Sequence, residues 1–242
     1  MNYHWHWGVL FEQPCVLWLL HGLAVTLTLS ALAWFVALPL GTLIAVLRTG
    51  PSRTARVLGT CYVQLFRNVP LIVQMFLWFF VFPEVVPKTF GFFLKRQLPF
   101  PEFSMGLFCL SFYTASRIAE TVRSGLETAG NGPKNAALTS GMSYFKAYRY
   151  VLLPMAFRLT IPPLTSEFLA IFKNSSVALA IGVLELTGES HQVESFTFQG
   201  FEAFTAATVL YALISLMCLG IAGLFQRYLS NAGGLGAEVA IR

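Results

Sequence analysis

Residues 16–47 read VLWLLHGLAVTLTLSALAWFVALPLGTLIAVL, an unbroken stretch in which His21 is the one titratable side chain. A helix needs about 20 mostly apolar residues to cross a hydrocarbon core roughly 30 Å thick. Lipid offers nothing to the N–H and C=O groups of the backbone, so a chain buried in it has to pair them internally, as a helix does. The reading of this stretch as a membrane span decides the reading of the rest. Four more stretches follow the same pattern: Val57 to Phe82, Ser104 to Leu126 with a polar second half, Ile161 to Val183, and Phe204 to Phe225. The expected fold class is an all-α membrane protein of five transmembrane helices.

Composition agrees. Of the 242 residues 56% are hydrophobic and 11% charged, and the mean hydropathy is +0.65. Soluble domains carry about 25% charged residues, and so few charges cannot cover the surface of a water-soluble fold of this size. The first Lys or Arg is Arg48, so no basic region precedes the first apolar run, as it does in a cleaved signal peptide. That run is expected to stay in the mature chain.

Lys and Arg concentrate in loops on the cytoplasmic side. Arg48, Arg53 and Arg56 follow the first run, and Lys134, Lys146, Arg149 and Arg158 lie between the third and fourth. Glu185, Glu189, Glu194 and Glu202 lie between the fourth and fifth with no base among them. The expected orientation is N-terminus out and C-terminus in. Residues 1–15 form an external segment, 16–228 a membrane domain, and 229–242 a cytoplasmic tail. There is no internal repeat, and an odd number of spans suggests a subunit that dimerises to enclose a path.

The segment Gly132 to Pro154 is too polar to span. Pro133 suits the first turn of a helix, and Asn135 to Thr139 continue it. Gly141 is placed to terminate it in a left-handed turn. Ser143 caps a second helix, Tyr144 to Leu152, which is expected to end near Leu153 because Pro154 disfavours helical geometry before it. The whole reads as a cytoplasmic helix-turn-helix over about 131–154.

This segment resembles the EAA loop of the permease subunits of bacterial ABC importers. Ala136, Ala137, Gly141, Val151, Leu153 and Pro154 match that pattern in type and spacing, while Asn135 stands where the pattern usually has Glu. The resemblance extends along most of the chain. Arg67-Asn-Val-Pro-Leu-Ile-Val-Gln74 is similar to an Arg-x-x-Pro-Leu-x-x-Gln segment of polar amino-acid permeases. Glu120, Arg123 and Gly125 resemble their Glu-x-x-Arg-x-Gly stretch, and Lys173-Asn174-Ser175-Ser176 their Lys-Asp/Asn-Ser/Thr-Ser element. Lys134 to Ala137, Val69 and Ser166-Glu167 are most similar to glutamate/aspartate permeases.

The resemblance implies a permease subunit in the cytoplasmic (inner) membrane of a bacterium. Its coupling helix, through Asn135, Ala136, Ala137, Gly141, Leu153 and Pro154, docks into ATP-binding cassette ATPase subunits. A second permease subunit and an external amino-acid-binding protein complete the complex. The chain has no G-x-x-x-x-G-K-[ST] loop, so ATP is expected on a partner and no cofactor in this chain. Neither catalytic nor metal-binding residues are expected, nor a nucleic-acid partner. Cys15, Cys61, Cys109 and Cys218 form no C-x-x-C pair, and His4-x-His6 reads as part of an interfacial aromatic segment.

Charges at membrane depth mark a pathway or a pair. Arg117, Glu120 and Arg123 share one face of the third helix at i, i+3, i+6 spacing. Either they form an internal ladder, or Glu120 pairs one Arg and leaves the other for a substrate carboxylate. Glu167, Lys173, Asn174 and Ser175 complete the candidate pathway. Arg67 reads as an anchor snorkelling at a span end, and Pro39 and Pro70 are placed to kink their spans, since neighbouring helices can re-satisfy the freed carbonyls. His21 and His191 have no evident partner. Importers of another polar amino acid, such as glutamine, are the nearest alternative. An ion-gradient-driven transporter is disfavoured by the missing repeat, and a membrane enzyme by the lack of a His/Glu/Asp cluster.

Overall fold

The computed structural model describes residues 4–232, and every regular element among them is helical. A short 3-10 turn, Trp7–Phe11, leads into α1, Cys15–Thr49. α2, Arg53–Asn68, and α3, Leu71–Val85, form a bent pair. Short helical turns at Lys88–Phe92 and Phe93–Gln97 precede α4, Pro101–Thr128. α5 is Asn131–Thr139, α6 Tyr144–Ile181, α7 Leu186–Thr197 and α8 Gly200–Ala232. Among the described residues three helices are long and apolar enough to cross a membrane, α1, α6 and the Gly200–Leu224 part of α8, or four if the bent α2–α3 pair is one span. α4 has the length, but its polar second half keeps it out of that set. The tail expected from residue 229 is helical to Ala232, and the remainder lies outside the described residues.

α4 is the axis of the fold, packed on α1 along most of its length and on α2, α3 and α6 around it. Ala33, Ala37, Gly41 and Ala45, spaced every fourth residue on α1, are all buried. Small residues at this spacing let two membrane helices approach backbone to backbone. At Gly41 the approach is at its limit: a Cβ there would lie 2.7 Å from the Ala115 carbonyl oxygen. The opposite side of α1 presents Leu32, Phe35, Val36 and Leu43 outward, as a helix facing lipid does.

Two expectations about helix ends are corrected. The stretch Val57 to Phe82 breaks at Pro70, where a kink is expected, but far more sharply than a kink: α2 and α3 meet at 106°. Pro70 forces Val69 into extended geometry, φ −90° and ψ 129°, and the ladder stops. Gln74 then does what the ladder no longer does. Its buried Nε2 donates to the Phe66 and Val69 carbonyls, 2.8 Å each. Replacing Gln74 by Leu deprives both carbonyls of a partner, a loss of about 1–3 kcal/mol. A lower melting temperature of the purified complex is the expected readout, and an unchanged one would show that water serves those carbonyls equally well.

The second correction concerns Pro154. The helix beginning at Tyr144 does not stop near Leu153 but runs on through Pro154, Pro162 and Pro163 to Asn174, then as a 3-10 turn to Ile181. A π-helical turn, Tyr148–Leu152, precedes the proline, and the Leu153 N–H reaches the Tyr148 carbonyl five residues back. The wide turn loosens the i→i−4 ladder where Pro154 has no N–H to contribute. The helix that holds the expected fourth span therefore starts well before Ile161, and the expected hairpin is α5 followed by the root of a long helix. The acidic stretch read as a loop between the last two spans contains α7, packed against α1 and α8.

Candidate functional site: an arginine-lined cavity

The polar face of α4 meets α2 and α6 at a cavity of about 470 Å³. Arg67, Arg117, Glu120, Arg123 and Glu167 line it. Arg117 does not pair with Glu120, one helical turn away. It grips Glu167 on α6 with two parallel bonds, Nε to Oε2 at 2.5 Å and Nη2 to Oε1 at 3.0 Å. Glu167 is 14% exposed at its side chain, and a guanidinium fork suits a carboxylate held away from water. Glu120 is taken by other arginines. Its Oε2 accepts from Arg48 Nη1 at 2.6 Å, and its Oε1 from Arg123 Nη2 at 2.5 Å. Arg123 also bonds Glu127.

Arg67, expected as an anchor at a span end, also reaches the cavity. It stands in the last turn of α2, just before the break at Pro70, and its Nη1 lies 3.9 Å from Glu120 Oε2. The bend, which composition alone does not reveal, brings it onto the cavity. Three guanidiniums and two carboxylates line the space, so the cavity is net cationic and suited to an anionic guest. Of the expected pathway residues, Arg117, Glu120 and Glu167 meet here. Lys173, Asn174 and Ser175 are not among the lining residues. Lys173 is exposed, and Ser175 is fully buried with its hydroxyl donating to the Phe172 carbonyl at 2.7 Å.

At the other end of the molecule the acidic residues turn inward. Glu185 caps α7, accepting from the Thr187 and Gly188 amides at 3.1 and 3.0 Å and from the Tyr211 hydroxyl at 2.5 Å. Burial pushes its carboxyl above the usual range, against those bonds. His21 Nδ1 lies 2.6 Å from Glu189 Oε1, and Glu202 accepts from the His6 amide at 2.8 Å. His191 Nδ1 is 3.5 Å from Glu194. The partners of Glu185, Glu189 and Glu202 on other elements are far away in the chain, so local spacing carries no signal of them.

α5 ends as its sequence suggests. Gly141 has φ +86°, its N–H bonds the Leu138 carbonyl at 3.0 Å, and the Met142 N–H bonds that of Ala137 at 3.1 Å. This is the Schellman pattern. Asn135 and Ala136 are exposed and Ala137 is buried. Leu153 and Pro154 lie beyond the turn, inside α6.

Comparison with known proteins adds a family. The model of the binding-protein-dependent transport system inner membrane component matches residues 37–231. The chain is 38% identical over 246 aligned positions to the glutamate/aspartate import permease protein GltJ of Escherichia coli K12, covering 98% of this chain and all of the relative. It is 30% identical to the probable glutamine ABC transporter permease protein GlnM of Bacillus subtilis 168, over 84% of this chain and 89% of that one. A crystal structure of an amino acid ABC transporter with histidines superposes with a TM-score of 0.76 at 25% identity, covering 94% of this chain and 100% of that one. An inward-facing MetNI methionine ABC transporter shares the fold, with a TM-score of 0.70 at 20% identity, covering 90% and 98%.

Proposed function

From the premise that this chain belongs to the family of binding-protein-dependent transport system inner membrane components, we propose that it is the permease subunit of an ATP-driven importer of glutamate and aspartate. The observation that carries this reading is the end-to-end similarity to a glutamate/aspartate permease. The net cationic cavity supports it, since an amino acid with two carboxylates is anionic. The chain is a multi-pass protein of the bacterial inner membrane and is not itself an enzyme.

In this reading the chain crosses the membrane five times, N-terminus outside, with α2–α3 and α4 as the second and third crossings and one permease domain over 16–228. Two permease subunits enclose the path. ATPase subunits dock on α5 through Asn135 and Ala136, with Ala137 packed inward to hold the helix and Leu153 and Pro154 at the root of α6 behind it. An external binding protein delivers the cargo. Arg117, Glu120 and Glu167, with Arg67 and Arg123, form the cargo-facing wall. Lys173, Asn174 and Ser175 lie farther along α6, where Lys173 offers the cargo a first cationic contact. ATP drives the change by binding one conformation of the complex better than the other.

Gly141→Val tests the docking turn. Valine at φ +86° is strained by about 1–2 kcal/mol or more, enough to distort the end of α5. The assembled complex is expected to keep its basal ATPase activity and lose cargo stimulation and uptake. Fully coupled uptake by this variant would remove α5 as the docking element. The reading as a whole is tested by purifying the subunit with its associated proteins and measuring uptake in proteoliposomes. ATP-dependent uptake of glutamate or aspartate supports it. ATP-dependent uptake of glutamine alone keeps the permease and discards the acidic cargo, while uptake with no partner and no ATP discards both.

A further inference from the structure

Below the arginine-lined cavity, at the root of α5, lies a second cavity of about 380 Å³. Its cations come from three elements. Arg48 stands in the last turn of α1, Arg56 near the start of α2, and Lys134 in the first turns of α5. Glu127 is the one acid among its described lining residues, and Arg123 already bonds it. Arg48 is 9% exposed at its side chain. One of its nitrogens is committed to Glu120, but its buried Nε has no hydrogen-bond partner among the described residues. Gly130 and Asn131 bring the N-terminus of the nine-residue α5 to the same wall, with no side-chain cap and no acid in the first turn. Lys134 lies over the Tyr144 ring at 5.9 Å. Neither it nor Arg56 is in an ion pair among the described residues.

We infer that this cavity binds the phosphate headgroup of an anionic phospholipid. Guanidiniums hold phosphate oxygens in a fork, and an uncapped helix N-terminus adds oriented amides and the positive end of the helix dipole. A basic pocket between membrane helices at their ends is suited to anionic headgroups. Its position favours lipid over free phosphate. It sits where the apolar helix α1 ends, and Leu43 and Leu47 of α1 with Val57 and Leu58 of α2 are exposed on the two helices that carry its arginines. Those side chains offer a surface to acyl chains that free phosphate cannot use. The inference needs only that α1 ends at a membrane surface, and it holds whatever the cargo is.

The test is native mass spectrometry of the purified, delipidated complex, titrated with phosphatidylglycerol or with phosphatidylcholine of the same acyl chains. The wild type is expected to retain phosphatidylglycerol roughly tenfold better, and Arg56→Gln combined with Lys134→Gln to remove that preference. Arg56 is exposed and Lys134 half-buried, and the wild-type comparison of two lipids does not depend on any variant folding. Equal retention of the two lipids by the wild type overturns the inference, as does a preference that survives in the double variant. Displacement of phosphatidylglycerol by excess inorganic phosphate identifies a free-phosphate site instead and overturns the lipid assignment. No displacement supports it.

Discussion

Arg117→Ala is expected to lower glutamate uptake by the reconstituted complex about tenfold to a hundredfold, with a smaller fall in the amount of folded protein. The variant removes both bonds to Glu167 and leaves that carboxylate, 14% exposed, without its counterion. Removing one partner of a fully buried pair costs about 3–5 kcal/mol. Arg117 is 38% exposed, so solvent screening brings the figure down to roughly 1–3 kcal/mol. A double variant, Arg117→Ala with Glu167→Ala, separates the two roles of the pair. It removes the uncompensated charge, so folded protein should recover toward the wild-type amount, while uptake should stay low because the cavity has lost its fork. Uptake that recovers in step with folded protein would assign the pair to structure alone. Uptake per folded complex, read from labelled glutamate in proteoliposomes, decides between them.

Gly41→Leu is expected to prevent assembly of the complex. A Cβ at Gly41 already lies 2.7 Å from the Ala115 carbonyl oxygen and 2.8 Å from Ile118 Cβ. Neither neighbour is the far end of a flexible side chain. Overpacking a tight core costs about 1–3 kcal/mol where side chains can shift, and here the backbone itself has to move. Gly41→Ala should lower the melting temperature, and Gly41→Leu should leave no folded subunit in the detergent extract. Gly220 on α8 is the matched control. No described residue lies within 4 Å of a Cβ there, so Gly220→Leu should assemble normally. Normal assembly of Gly41→Leu would mean that α1 and α4 are not in backbone contact.

The membrane character of the chain is legible from the apolar runs, because insertion depends on summed transfer free energy over a window. The turn at Gly141 is equally legible, because a left-handed helix terminator is a local requirement that favours one residue type. A kink at Pro70 is legible too, but the size of the break is not, for the opposite reason. An average over residues 57–82 stays apolar across it, and Gln74, the side chain that stabilises it, looks like a stray polar residue until the bend is seen. Pro154 misled because its cost is set by the preceding turn, and a π-helical turn reduces that cost. The Arg117–Glu167 pair joins residues fifty positions apart, while spacing along one helix pointed to Glu120. The acidic stretch after Val183 reads as an outward-facing loop because its four glutamates come with no base among them. Here three of them, Glu185, Glu189 and Glu202, are buried and held by partners on α1, α8 and the N-terminal segment.

Ala33, Ala37, Gly41 and Ala45 have a mechanical consequence. Packed helices slide by trading side-chain rotamers, and alanine and glycine have none to trade. α1 and α4 therefore behave as one stiff rail, with Arg48 of α1 and Arg117, Glu120 and Arg123 of α4 set in it like teeth. Glu167 and Arg67 ride on other helices, α6 and α2. The arginine-lined cavity thus has one wall that cannot yield, and α6 meets that wall nearly as closely at Gly125, where a Cβ would lie 3.0 Å from the Ala156 carbonyl oxygen.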